Sequence, residues 1–174
     1  ASAMASSTTG AGQDGRVAPA ATFSNQIRTR HWQNDIDIEH LSPWFRTENG
    51  FQPKADWTGI ENESEFHLFP TSGPIPRVFL QPIDAEAAWN SAGDPRLMGW
   101  TPGGGFWTRG GILFMAVADL TGEEFAEEWF VARGMRFTGG GSWNRWMRMW
   151  VNGKFGEALL YDEDDPVVGQ RAAL

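Results

Sequence analysis

Apolar and polar side chains alternate one by one over several long stretches of this chain. Across residues 21–32 the even positions carry Thr22, Ser24, Gln26, Arg28 and Arg30, while odd positions carry Ala21, Phe23 and Ile27. A period of two places successive side chains on opposite faces of a strand, so this segment is wet on one face and dry on the other. Residues 58–69 repeat the pattern, with Ile60, Phe66 and Leu68 on one face and Glu61, Glu63, Glu65 and His67 on the other. Asp35, Asp37 and Glu39 interleave with Ile36 and Ile38. In residues 77–89, Phe79, Ile83, Ala85, Ala87 and Trp89 share a face opposite Asp84 and Glu86. In residues 142–154, Trp143, Met147, Met149 and Val151 face away from Asn144, Arg148 and Asn152.

Turn chemistry punctuates these runs at Thr9-Gly10 to Gly15, Ser42-Pro43, Asn49-Gly50, Ser72-Gly73-Pro74, Ala92-Gly93-Asp94-Pro95, Pro102 to Gly105, Gly139-Gly140-Gly141 and Asn152-Gly153. Asn152-Gly153 has the composition of a type I′ hairpin turn, whose two central residues need positive φ. It predicts a strand ending near Val151 and another running from Phe155 to Tyr161. Residues 84–91 and 122–133 have the composition for one or two helical turns, without a 3.6-residue apolar stripe or caps. The pattern therefore predicts an all-β fold over residues 1–174, an antiparallel meander of about eight to ten long strands, longer than those of most globular sheets and suited to tilted barrel staves.

Composition narrows the partners. A net charge of -8 with only Lys54 and Lys154 as lysines argues against a nucleic-acid backbone as partner, which needs clustered cations. Without cysteine there is no disulfide framework, thiolate metal site or thiol nucleophile. No run reaches the roughly 18 apolar residues of a membrane-spanning helix, but barrel strands need only about ten residues, of which alternate ones face lipid. Ten Trp and twelve Phe against one Tyr suit either sugar stacking or membrane-interface anchoring. Residues 1–5 carry no signal-peptide pattern and residues 170–174 no clear closing strand, so both ends read as cuts through a longer protein.

The stretch Ser42-Pro-Trp-Phe-Arg-Thr-Glu-Asn-Gly-Phe51, set between alternating strands, resembles a recurrent segment of a bacterial envelope family. Members join an N-terminal domain like carbohydrate-binding family 9 to a C-terminal barrel, domain of unknown function 5916. Ser6-Ser7-Thr8-Thr9-Gly10 before an alternating strand resembles the barrel's preceding hairpin. The resemblance implies an internal segment of an outer-membrane β-barrel. It implies outer-membrane lipid, the remaining strands and the N-terminal domain as partners, and a connection to carbohydrate-related material. It supplies no catalytic residues.

Several constellations carry candidate chemistry. Glu61, Glu63 and Glu65 stand about 6.5–7 Å apart in sequence along one strand face, within the range for paired carboxylates in glycoside hydrolysis and equally suited to lining a water-filled lumen. Arg28 and Arg30 join them as lumen-facing candidates. Trp143, Trp146 and Trp150 suit sugar stacking, an interface girdle or a strand core. His31, Asp35, Asp37 and His40 mix nitrogen and oxygen donors, but His40 falls on the face opposite Asp35 and Asp37. Asp162 to Asp165, with Glu163, form an acidic run without the spacing of a calcium loop. Neither glycine run precedes the Lys-Ser/Thr of a phosphate loop, and no cofactor is implied. The leading expectation is a segment of an outer-membrane β-barrel. The alternatives are a soluble β-sandwich carbohydrate-binding module and a β-rich glycan-active enzyme using the Glu61 to Glu65 face.

Overall fold

The computed structural model describes residues 2–11, 17–45, 56–125, 128–142, 146–161 and 166–173. They form one antiparallel sheet of eleven strands. In chain order these are β1 (Ser2–Ala11), β2 (Val17–Arg28), β3 (Trp32–Leu41), β4 (Trp57–Leu68), β5 (Arg77–Trp89), β6 (Pro95–Trp100), β7 (Gly103–Trp107), β8 (Ile112–Phe125), β9 (Glu128–Ser142), β10 (Arg148–Tyr161) and β11 (Pro166–Ala173). Each pairs with its neighbour in sequence, except that β6 and β7 are two halves of one stave. β6 pairs the upper parts of β5 and β8, β7 their lower parts. The meander therefore has ten staves, and its all-β antiparallel character follows from the alternation.

Several local readings are corrected. Residues 84–89 and the described part of 122–133 are strand, and residues 90–91 belong to the turn that follows, because cross-strand pairing gives the strand backbone groups partners that two unsupported helical turns would lack. Asn152-Gly153 lies inside β10, and Gly139 to Gly141 inside β9. Gly153 is directly opposite Phe137, and a Cβ on Gly153 would clash with the far edge of the Phe137 ring, so this glycine makes room for a neighbour instead of turning the chain. Gly103 to Gly105 likewise belong to β7, where the Phe79 ring crosses Gly105. The chain's last residues also differ from expectation, since β11 pairs with β10.

A bulge in β5 accounts for another difference. Ser64 faces Ile83 but Phe66 faces Leu80, so β5 spends one extra residue at Gln81-Pro82. Pro82 has no amide to donate, which suits a bulge. The extra residue reverses the alternation below it, moving Phe79 to the face opposite Ile83.

The two faces differ sharply. One row of directly paired residues runs Phe23, Ile38, Ile60, Ala87, Met98, Gly122, Val131 across seven strands without a polar side chain. This face holds nearly all the exposed large apolar side chains, among them Phe66, Leu68, Trp100, Phe114, Leu120, Met135, Phe137, Met149, Val151 and Phe155. The exceptions are Trp44, Phe69, Trp146 and Met147 in connections, and Trp150 on the other face. By contrast, the six buried apolar residues, Ala18, Ala20, Leu41, Phe79, Ala88 and Val117, all lie on the polar face. Among the described residues, no large side chain is fully buried.

Candidate functional site on the polar face

Register assembles the acidic residues into rows that the sequence alone does not reveal. Asp35, Glu63 and Asp84 are direct neighbours across β3, β4 and β5, and Asp37, Glu61 and Glu86 form the row beside them. Glu39 and Glu65 extend the field along their strands. Like charges directly opposite one another oppose strand pairing, so this arrangement favours water or cations over it. The expected ladder Glu61, Glu63, Glu65 is on this face, and so is Arg28, 3.6 Å from Asp35. Polar donors hold the rims of the field: Ser24 donates to Asp37, Gln33 Nε2 to Asp35 at 3.2 Å and Gln81 Nε2 to Asp84 at 2.9 Å.

The face is concave here. Thr22, Ser24, Asp37, Glu39, Trp57, Glu61, Glu86 and Leu97, from five successive strands, line one hollow of about 260 Å³. The hollow opens on the polar face and is shared by five neighbouring strands. The Trp57 indole folds back over Gly59, 2.7 Å from where a Cβ would stand, and so roofs one end of the hollow.

At the other end of β4, Glu65, His67 and Arg77 lock together. Arg77 Nη2 donates to His67 Nδ1 at 3.1 Å, which leaves His67 Nε2 to face Glu65 Oε1 at 3.0 Å; Arg77 also lies 3.7 Å from Glu65. His31 Nδ1 meets the His67 carbonyl at 3.0 Å, tying the β2–β3 turn to the end of β4. Arg30 sits in that turn, past the end of β2, with its guanidinium 5.3 Å from the centre of the Phe69 ring. It is therefore placed at the rim instead of within the row begun by Arg28. Farther along the polar face, on β8 to β10, Asp119 is flanked by Arg136 at 3.4 Å and Lys154 at 3.6 Å.

The remaining candidates fall apart in space. His31 is in a turn, His40 bonds Thr58 Oγ1 at 2.9 Å on the apolar face, and Asp35 and Asp37 lie on the polar one. No group of three or more metal-binding side chains is brought together among the described residues. Trp146 stands in the β9–β10 connection, 81% exposed, and Trp150 on the polar face. Trp143, Asn49-Gly50, residues 46–51 of the Ser42 to Phe51 segment and the run Asp162 to Asp165 lie outside the described residues.

Sequence reasoning also missed the polar devices of the apolar face. Asn34 and Ser64 are buried there, opposite one another, and Asn34 Nδ2 donates both to Ser64 Oγ at 2.7 Å and to the Glu63 carbonyl at 3.1 Å. Ile27 and Ile83 flank the pair on adjoining strands. Charge reaches this face where Arg96 meets Glu124, and where Glu157 accepts from the Arg133 amide at 3.0 Å. No protein-family model, curated protein or solved structure matches the chain.

Proposed function

We propose that this sheet is part of the wall of an outer-membrane-type β-barrel of a bacterial envelope, with its convex apolar face in lipid and its concave polar face lining an aqueous passage. The observation that carries the reading is the inversion of the faces. A soluble sheet buries its apolar side and wets its polar side, whereas here the large apolar side chains are exposed on one face and the few buried apolar residues lie on the other, the face that holds the hollow. A β-sandwich would cover the apolar face with a second sheet, and the described strands form one sheet.

The dimensions agree. From Trp89 and Trp129 near one end of the convex face to Phe106 and Phe114 near the other is about ten residues, roughly 33 Å along a strand. Tilted as barrel staves are, that span stands about 25 Å tall, the height of the apolar band of outer-membrane barrels. Asn34 donates to Ser64 and to the Glu63 carbonyl, so these polar side chains are bonded and buried on the apolar face, as polar groups at a lipid-facing surface must be. The acidic rows of β3 to β5 give the passage a preference for cations and neutral polar solutes over anions. Resemblance to the domain 5916 barrels points the same way and adds carbohydrate-related material as the class of solute.

Purification tests the reading. The chain is expected to be monodisperse only in detergent and to aggregate when detergent is removed. A monodisperse monomer in plain buffer would contradict the proposal and favour the soluble carbohydrate-binding alternative.

A further inference from the structure

We infer that β1 and β11 are not each other's partners, and that each is the seat for a further strand of the same polypeptide; this rests on the barrel reading above. Followed from strand to strand, Ser2 of β1 leads to Gln26, Asp35, Glu63 and Asp84. The row crosses to Thr101, whose amide donates to the Asp84 carbonyl at 2.7 Å, then to Asp119, Gly134 and Gly156, and ends on Arg171 of β11. The two edge strands are therefore level in register, Ser2 with Arg171.

A closed barrel cannot keep them level. Staves tilted by about 35–45° require the register to slip on one circuit. With strands ~4.8 Å apart and ~3.3 Å per residue, ten staves need a slip of about 10 to 15 residues. Only even slips keep polar side chains on one face. The smallest such slip brings together just Ala11 with Ala172 and Gly10 with Ala173, and larger slips leave β1 and β11 with no common level. A slip in the opposite sense brings together none. A ring of several copies meets the same geometry, because the tilt fixes the slip per stave.

An unpaired edge is untenable in lipid, where its amides and carbonyls have no water to bind. Each edge must then receive a strand. Every stave in the described meander is paired to the stave next in sequence, so the strand that continues the wall on either side is the adjacent one in the polypeptide. It would carry apolar residues towards the convex face, matching its neighbours.

The absence of native cysteine makes engineered pairs a clean test. Directly opposed strand residues are close enough for a disulfide. In detergent micelles, Ile60→Cys with Ala87→Cys serves as the control for the wall's own register. Ala11→Cys with Ala172→Cys probes closure at a slip of ten, the one slip in that range that gives the strands any overlap, and Thr9→Cys with Ala172→Cys probes a slip of eight, just below the range. The control is expected to oxidise within one chain, both seam pairs to stay reduced, and alternate amides of β1 and β11 to exchange deuterium at least tenfold faster than those of β3 to β9. A seam disulfide within one chain would show that the wall closes on itself; one between two chains would show that a second copy fills the edge. Either result, or protected edge amides in a monomer, overturns the inference while leaving the barrel reading standing. A control that fails to oxidise removes the register on which both depend.

Discussion

The convex and concave faces are made from the same strands, yet they obey opposite rules. On the convex face Phe23, Ile38, Ile60, Met98 and Val131 stand in a continuous row, exposed, and polar groups such as Asn34 and Ser64 occur where they bond each other. On the other face carboxylates stand opposite carboxylates across β3 to β5, and Trp57 and Phe79 are tucked over glycines. A period of two decides which residues share a face, but not which face meets which solvent. In the proposed barrel wall curvature decides that, because the concave side is the one that can hold water.

Charge substitution should separate the faces most strongly. Ile60→Arg is expected to cost about 2–4 kcal/mol of folding stability in detergent micelles or bilayers, as an arginine facing the middle of the lipid layer does. Its sequence neighbour Glu61→Arg, in the concave acidic row, should cost less than about 1 kcal/mol or stabilise the chain. Equal costs at the two positions, measured by denaturant titration, would erase the distinction between the faces.

The polar pair on the convex face comes next. Asn34→Ala strands the buried Ser64 hydroxyl and should cost about 1–3 kcal/mol, whereas Asn34→Leu combined with Ser64→Ala should recover most of that loss. A double variant no more stable than the single one would show that the site is not apolar. Gly153→Val, which pushes a side chain into the Phe137 ring, should cost about 1–3 kcal/mol, and adding Phe137→Ala should reduce the loss. A fully additive pair of losses would place Phe137 elsewhere.

The smallest effect belongs to the acidic rows. Glu63→Gln removes a charge between Asp35 and Asp84 and should raise stability by about 0.2–1 kcal/mol at low salt. The gain should shrink as added salt screens the carboxylates. A loss of stability would mean that the carboxylate holds a partner that its neighbours do not supply.

Much of this arrangement was legible in the chain because alternation is a local signal. Ile60 against Glu61, and Ile38 against Asp37, fall on opposite faces as read. The failures were relational. Phe79 changed faces because of a bulge at Gln81-Pro82 that no period-two count reveals, and Arg30 left the concave row because β2 ends at Arg28. Asn152-Gly153 has good turn composition, yet its glycine answers to Phe137 on the neighbouring strand. For the same reason the sequence displayed Glu61, Glu63 and Glu65 along one strand but hid the rows from Asp35 to Asp84 and from Asp37 to Glu86, which exist only through register.

The account depends most on what the convex face touches. Single spin labels at Ile60→Cys and Glu61→Cys, with the chain folded in detergent micelles, measure it by collision with oxygen, which concentrates in apolar phases, and with a water-soluble nickel chelate. The label at position 60 is expected to meet oxygen and not nickel, and the label at position 61 to meet nickel and not oxygen. A position 60 shielded from both reagents would mean that another protein surface covers the apolar face, and one open to nickel that it faces water; either contradicts a lipid-facing wall.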